Sequence, residues 1–450
     1  MREDLRVLYS EERLPRYTSY PSSPYFTGAA GAGTYAAWLR ALPADATVSL
    51  YLHVPFCRSM CWYCGCHTSI TQHDAPIAEY LATLQSEIGL VASHLERRPR
   101  VQHVHFGDGT PTIMAPGAFG ELITLLRGRF SFDPEAEIAV EIDPRTLTRE
   151  MTRALGKAGV TRASLGVQSC DPVVQEAIRR RQDFDITART VTGLRAEGIR
   201  DINLDLIYGL PHQTVDSCVD TVRQCLPLRP DRLAVFGYAH VPTFKKHQRH
   251  IKDTTLPDGA TRRAQAEAIA EVLTRAGYRR IGLDHYALPD DRMAVAHVEG
   301  RLRRSFQGYT TDLSDALVGL GASAIGRLPQ GYIQNEPALR AYGARVARGE
   351  LATIKGYALT PDDRLRAALI ERIMCDFAVD VGEVCRSHGH DPDELLASLP
   401  RLRILAEHGL VRRNGHVLNI PDEARIFVRN VAAAFDAYLG ASAATHSRAA

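Results

Sequence analysis

No run in this sequence reaches the roughly 18–20 consecutive apolar residues that a membrane-crossing helix requires, so no span is expected. The opening residues MREDLRVLYSEERLPRY carry charge where a secretory signal would need an apolar stretch, so the expected location is the cytoplasm with no membrane partner. An excess of one charge is also missing. The 54 Lys and Arg stand against 52 Asp and Glu, a formal net charge of +2, which gives no reason to expect nucleic acid. An anionic substrate must then be met by a local basic pocket. Low-complexity linkers are absent, as are repeats longer than a strand–helix unit. Cysteine is too sparse for a disulfide scaffold, at nine in 450 residues, yet four of the nine fall between 57 and 66. That clustering points to metal. Cys170, Cys218, Cys225, Cys375 and Cys385 stand apart among apolar or helical residues and read as small buried hydrophobes.

What is present is a 450-residue chain with 45% hydrophobic residues, enough for one large domain with smaller pieces. Between about 48 and 240, short apolar β-branched runs alternate with segments of helical period, which predicts an α/β fold with a parallel sheet. The expected strands are SLYLHV (49–54), VQHVHF (101–106), EIAVEI (137–142), RASLGV (162–167), INLDLI (202–207) and RLAVFGY (232–238). Six units give a partial, open-sided (β/α)6 barrel rather than a closed one of eight. Polar, Gly or Pro residues follow nearly every strand, as in HVPFC, FGDGTPT, EIDP, VQSC, IYGLP and YAHVP. Ligands of parallel sheets bind at these carboxyl ends. Past 355 the alternation fades, and Thr360-Pro361-Asp362 starts a helix, Pro standing at its first position. A mainly helical domain with a hairpin at Asn414-Gly415 resembles a winged-helix end piece. The expected division is an arm over 1–45, the barrel over 46–350, the helical domain over 351–440 and a frayed tail over 441–450.

YLHVPFCRSMCWYCGCH spaces Cys57, Cys61 and Cys64 as C-x3-C-x2-C, with Cys66 two residues on. Four thiolates close a [4Fe–4S] cube, and three leave one iron open. An open iron can chelate the amino and carboxylate groups of S-adenosylmethionine, whose sulfonium bond one electron then breaks to release a 5′-deoxyadenosyl radical. Zinc is the rival, with His53, Cys66 or His67 as fourth ligand. Structural zinc sites, however, usually join two separated half-sites, and no second C-x2-C exists.

This motif, with Tyr63 before its third cysteine and the strand pattern around it, resembles the radical S-adenosylmethionine superfamily. PRYTSYP (15–21), CGC (64–66), GTPT (109–112), EIDP (141–144), GVQS (166–169), LDLIYGLP (204–211), YAHVP (238–242), DHYA (284–287) and FQGYTT (306–311) narrow the resemblance. Together they resemble the oxygen-independent coproporphyrinogen III oxidases over almost the whole chain. The resemblance implies that Cys57, Cys61 and Cys64 hold the cluster and that Cys66 is linked to activity without being a ligand. It implies two bound S-adenosylmethionine molecules at Tyr51, Tyr63, Gly109, Thr110, Glu141, Gln168, Arg180, Asp205, Ala239 and Ile325. Glu141 and Asp205 also read independently as carboxylates ending strands on the ligand rim, there to accept from a ribose or ammonium or to cap a loop. Arg180, in AIRRRQ, would on its own be read as a solvated helix face.

One position departs from the family, which has three consecutive glycines where this chain has Gly107-Asp108-Gly109. Asp108 either accepts the cofactor's ammonium or crowds the site, and Asp tolerates unusual backbone angles better than most residues. The implied reaction converts two propionates of coproporphyrinogen III to vinyl groups without oxygen, each losing a hydrogen atom, CO2 and an electron. The partners are then that substrate, an electron donor and a terminal acceptor, with a monomer expected. Arg16, Lys245, Lys246 and Arg249 are candidates for the substrate's carboxylates, and PRYTSYP and FQGYTT for lining the tetrapyrrole. A haem-handling or haem-methylating relative is the alternative, though the former would lack the Cys66 extension and the arm.

Overall fold

All six expected runs are strands: β1 (Thr47–His53), β2 (Arg100–Gly107), β3 (Ser131–Ile142), β4 (Arg162–Gln168), β5 (Asp201–Tyr208) and β6 (Arg232–Gly237). The computed structural model describes residues 3–440, and in it these strands pair side by side, in chain order and all parallel. The expected tail at 441–450 lies outside the described residues. Helices Ala75–Ser93, Pro116–Arg129, Arg149–Ala158, Phe184–Ala196 and Val215–Cys225 return the chain between strands. Because strand side chains alternate faces, Leu50, Leu52, Val104, Phe106, Val140, Leu165 and Leu204 share one face. They bury against Leu84, Ile88, Leu122, Leu126, Leu155 and Leu194 of those helices in a single apolar cluster. Each such side chain contributes about 1.5–3 kcal/mol by leaving water.

The opposite face is different in kind. It carries Tyr51 and His53 of β1, His103 and His105 of β2, Glu137 and Glu141 of β3, Ser164 of β4, Asn203 and Asp205 of β5, and Arg232 of β6. A parallel sheet covered on both sides is normally apolar on both, so this polar face is the concave, ligand-facing side of an open barrel. At its far end Arg162 Nε donates to Glu137 (2.9 Å) and Arg232 Nε to Asp291 (2.7 Å). Burial would raise the Glu137 carboxyl, but Arg162 and His103 hold it well below its ordinary value.

Two features exceed the sequence reading. Ala316–Leu320 is a seventh parallel strand, paired with β1 on the side away from β2. Its five residues are all buried, so it shows no alternation to detect. Antiparallel strands then extend both edges, giving twelve strands in one open sheet among the described residues. The arm is not a free extension either. Within it Glu3–Glu11 and Ala32–Arg40 are helices. Leu5, Tyr9, Leu14, Tyr17 and Tyr20 join Leu369, Ile373, Phe427 and Phe435 in a second apolar core, whereas Tyr35 and Leu39 join the barrel's core.

The C-terminal region begins as expected. Thr360 accepts from the Asp363 amide and Asp363 from the Thr360 amide, a reciprocal cap that opens helix Pro361–Asp376. Arg412–Asn414 and Val417–Asn419 form the expected hairpin, with Gly415 at φ +61°. Ala378–Asp380 adds a third strand beside Val417–Asn419.

Candidate active site

The chain leaves β1 through Val54-Pro55-Phe56 and enters the cysteine loop directly at the carboxyl-end rim. Each of the three spaced sulfurs there has a hydrogen-bond donor. Cys57 Sγ lies 3.3 Å from Thr110 Oγ1 and receives Thr68 Oγ1 at 3.4 Å. Cys61 Sγ receives Arg145 Nη2 at 3.5 Å and Arg180 Nη1 at 3.6 Å, and Cys64 Sγ receives the Cys66 amide at 3.3 Å. Without iron, burial pushes the Cys57 thiol up, opposed by the two threonine hydroxyls and reinforced by Cys64 and Cys61. Among the described residues no three His, Cys, Asp or Glu side chains converge on one point as ligands of a single ion must. A cube binds each thiolate to a different iron, and donors aimed at sulfur are what such an anionic centre needs. The donor set fits a [4Fe–4S] cluster.

Arg180, which the resemblance placed at the cofactor site, does not lie on a solvated helix face. It follows the helix Pro172–Ala177 and is only 5% exposed. The reason is a dense set of acceptors: Nη2 donates to Gly166 O (2.6 Å) and Asp143 Oδ1 (3.3 Å), while Nη1 reaches Cys61. Burial disfavours its charge, but Tyr63, Asp143 and Cys61 outweigh that and keep it firmly protonated. Its Nε is buried without a partner, as is His105 Nδ1. Gln168, at φ +69° beside a bulge in β4, packs near the same Gly166.

Further along the rim, Glu141 accepts from His105 Nε2 (3.1 Å) and from the Asp108 amide (2.9 Å). Burial alone would raise this carboxyl, and those contacts hold it below its ordinary value. Tyr51 stacks on His105 with centroids 5.8 Å apart. Asp205 accepts from Ser164 (3.0 Å) and Asn203 (2.7 Å), yet burial, then Glu141, push it up to about 6. It lies inside β5, three residues before the strand's end, rather than at the terminus the sequence suggested.

The loop after β6 closes over the cysteines. Lys245 Nζ donates to Cys66 O (2.8 Å), His247 Nε2 lies 2.8 Å from Cys64 O, and Gln248 Nε2 donates to Tyr63 O (3.0 Å) and Ala239 O (3.3 Å). Lys245 is thus tied to the cysteine loop, Arg249 Nε donates to Pro242 O (3.3 Å), and Lys246 is exposed. Ile325 sits on the other flank, against Gly319, the register partner of Tyr51. Cys66 itself is exposed. Sequence reasoning passed over Asp143, Arg145, His247 and Gln248; only Asp143, inside the EIDP motif, carried any signal.

The Radical SAM superfamily model matches residues 51–225. An oxygen-independent coproporphyrinogen III oxidase of Bradyrhizobium diazoefficiens is 61% identical over 449 residues, covering all of both chains. That of Paracoccus denitrificans is 43% identical over 95% of each. The solved coproporphyrinogen III oxidase of Escherichia coli, a radical SAM enzyme, superposes with TM-score 0.90 at 35% identity, over 95% of this chain and 100% of that one. The chain belongs to the oxygen-independent coproporphyrinogen III oxidase family.

Within this family member, Asp108 is accommodated in the left-handed region at φ +60°. Its carboxylate accepts from the Gly109 amide (3.2 Å) and lies 3.5 Å from His53 Nδ1. The side chain thus braces its own loop. We expect Asp108→Gly to change S-adenosylmethionine affinity by less than about threefold, since glycine takes this φ without cost. Titration calorimetry on the reconstituted protein checks this, and a larger loss would assign the carboxylate to the cofactor.

Asp205 offers a test with a defined pH sign. A carboxyl raised from 3.8 to about 6 favours the folded state while protonated and opposes it once ionised. The cost grows between pH 4 and 6 to on the order of 3 kcal/mol and then levels. Asp205→Asn removes it. The melting temperature of the apoprotein variant should exceed that of the parent by a few degrees, with the gap widening from pH 5 to 7. Cofactor affinity should fall at the same time.

Proposed function

We propose that this chain converts coproporphyrinogen III to protoporphyrinogen IX by oxygen-independent oxidative decarboxylation of two propionate side chains, a step of haem biosynthesis. The observation that carries this reading is the set of three donor-solvated sulfurs on the rim of a polar concave face, within a chain matched end to end by this family. Cys57, Cys61 and Cys64 would hold the [4Fe–4S] cluster. When bound, cluster and S-adenosylmethionine supply the one-electron chemistry that starts hydrogen abstraction from the substrate.

The remaining work falls to the chain's own residues. Arg145 and Arg180 present guanidinium N–H groups to the Cys61 sulfur. Tyr63, wedged among Cys61, Cys64 and Arg180, offers a ring for adenine contact. Glu141 and Asp205 present carboxylate oxygens to ribose hydroxyls or an ammonium, and hydroxyl donors would relieve the burial cost at Asp205. Thr110 and Gly109 fix the loop against Cys57, while Tyr51, Gln168, Ala239 and Ile325 line the flanks. The 240s loop covers the cysteines and limits water at the site. Cys66 stands beside Cys64 as an exposed thiol for the substrate side.

The catalytic unit in this reading is 46–350, with the arm (1–45) and the region 351–440 completing the substrate side. No helix of the described residues is long and apolar enough to cross a membrane. We place the protein in the cytoplasm as a monomer, served by an electron donor and a terminal acceptor and by no nucleic acid. Anaerobic reconstitution, reduction and incubation with S-adenosylmethionine and either coproporphyrinogen III or haem tests the assignment. Two CO2 per protoporphyrinogen are expected from the first and no reaction from the second. Absence of CO2 from coproporphyrinogen overturns it.

A further inference from the structure

Arg16 and Arg304 come from two motifs far apart in sequence, PRYTSYP and the hairpin that carries FQGYTT, and they meet. Arg304 Nη2 donates to the Arg16 carbonyl at 3.2 Å, and its guanidinium stacks 4.4 Å above the Tyr309 ring. The tyrosines of these motifs do not face the cleft. Tyr17 is buried and bonds Asp436, Tyr20 is buried and accepts from the Ala437 amide, and Tyr309 is buried and bonds Met374 O. Of the two segments, it is Arg16 that stays exposed, with Arg304 half-buried behind it.

A third guanidinium, Arg429 from the C-terminal region, is 8% exposed and donates to Leu14 O (3.3 Å). Burial, then Arg16 and Arg304, lower it to about 10. Arg16 is exposed at its surface, yet burial among surrounding protein lowers it too. Asp284, a carboxylate nearby, is bonded to His285 Nδ1 (2.7 Å). Arg304 Nη1 is buried with no partner. A buried guanidinium N–H left unpaired costs stability that an incoming anion recovers.

The place matters as much as the charge. His285 pairs with Ala234 of β6, the residue that on its other side pairs with Asp205 of β5. The His285 ring also lies 5.5 Å from that of Tyr309, over which Arg304 stacks. The constellation is therefore continuous with the rim that carries Glu141 and Asp205, on the side away from the cysteines.

We propose that Arg16, Arg304 and Arg429 form the receptor for propionate carboxylates of the tetrapyrrole and so set its orientation against the cofactor site. The inference rests on the decarboxylase reading above. It replaces Lys245, which is tied to the cysteine loop, and its neighbours Lys246 and Arg249 as the carboxylate partners. A guanidinium fork matches a carboxylate in two parallel hydrogen bonds. Chain segments near 16, 304 and 429 would thereby close around the substrate from three directions.

Coproporphyrin III, the redox-stable aromatic form with the same four carboxylates, is the probe, and its tetramethyl ester the control. Binding to the full-length protein is followed by porphyrin fluorescence. Arg16→Gln and Arg304→Gln should each weaken coproporphyrin binding roughly tenfold or more, raise KM for coproporphyrinogen in parallel, and leave ester binding as in the parent. Arg16→Lys should recover part of the loss. Folded variants that bind the free acid within twofold of the parent overturn the proposal, as does equal weakening for acid and ester. Should Arg304→Gln fail to fold, Arg16→Gln decides alone, because the Arg16 carbonyl rather than its guanidinium meets Arg304. If the parent neither binds coproporphyrin nor releases CO2, the decarboxylase reading itself has failed.

Discussion

Replacing Cys61 by serine is expected to leave a folded protein that takes up no stable cluster and forms no protoporphyrinogen. Cys61 is buried, and serine differs from it by one atom of similar reach, so the surrounding packing persists. The two guanidiniums that face its sulfur, from Arg145 and Arg180, are also held by Asp143, at 2.6 and 3.3 Å. Neither is stranded by the change. What is lost is the thiolate, the proposed iron ligand, which a hydroxyl does not replace at neutral pH. Iron content and visible absorbance after reconstitution should fall far below the parent, turnover should drop to the level of the protein-free assay, and the apoprotein's melting temperature should stay within a few degrees. Cys66→Ser supplies the contrast. Its backbone amide still reaches Cys64 and its carbonyl still accepts from Lys245. It should therefore retain cluster absorbance while losing turnover. Loss of the cluster in both variants would make Cys66 a ligand.

The legible parts of this molecule were those encoded locally. Six strands could be marked because each is a short β-branched run ended by polar, Gly or Pro residues. The cysteine loop could be marked because its ligand spacing lies within eight residues. Asp108 was legible as an anomaly, and its φ of +60° shows the backbone demand behind that position. The strand Ala316–Leu320 was hidden because burial on both faces erases period-two alternation. Arg180 could be assigned to the site only through the family resemblance, because a run of three arginines by itself looks solvated, whereas its burial is decided by Asp143, Gly166 and Cys61, which only the tertiary fold brings near. The arginine constellation was beyond reach for the same reason. Its members lie hundreds of residues apart, and only Arg16 stood in a segment that sequence had singled out for the substrate. The arm's division between two cores also depends on contacts over some 400 positions, such as Tyr17 with Asp436.

Gly109→Ala is the backbone counterpart of the cysteine experiment and should be nearly as damaging. Gly109 has φ +50°, a region alanine enters only with strain. A Cβ there would stand 2.4 Å from Val54 O, 2.7 Å from Phe56 N and 2.9 Å from Phe56 O. All three are main-chain atoms, so no side-chain rotation relieves the overlap. Val54 to Phe56 is the short link between β1 and Cys57, and Val54 is anchored by its amide to Gly107 O at 3.2 Å. The clash must therefore displace the cysteine loop, the Gly109 segment, or both, and it separates Cys57 from Thr110. Overpacking of this kind with backbone strain costs about 2–4 kcal/mol. A lower melting temperature, reduced iron loading and loss of turnover are expected together. Gly107→Ala makes the distinction sharp. Its Cβ would approach only side chains, those of Tyr51, Glu141 and His105, at 2.9–3.0 Å. That variant should keep its cluster and most of its stability but bind S-adenosylmethionine more weakly, because Tyr51 and Glu141, which it displaces, are among the residues proposed to meet the cofactor. If Gly107→Ala instead loses the cluster and Gly109→Ala keeps it, the two glycines have been assigned to the wrong halves of the site.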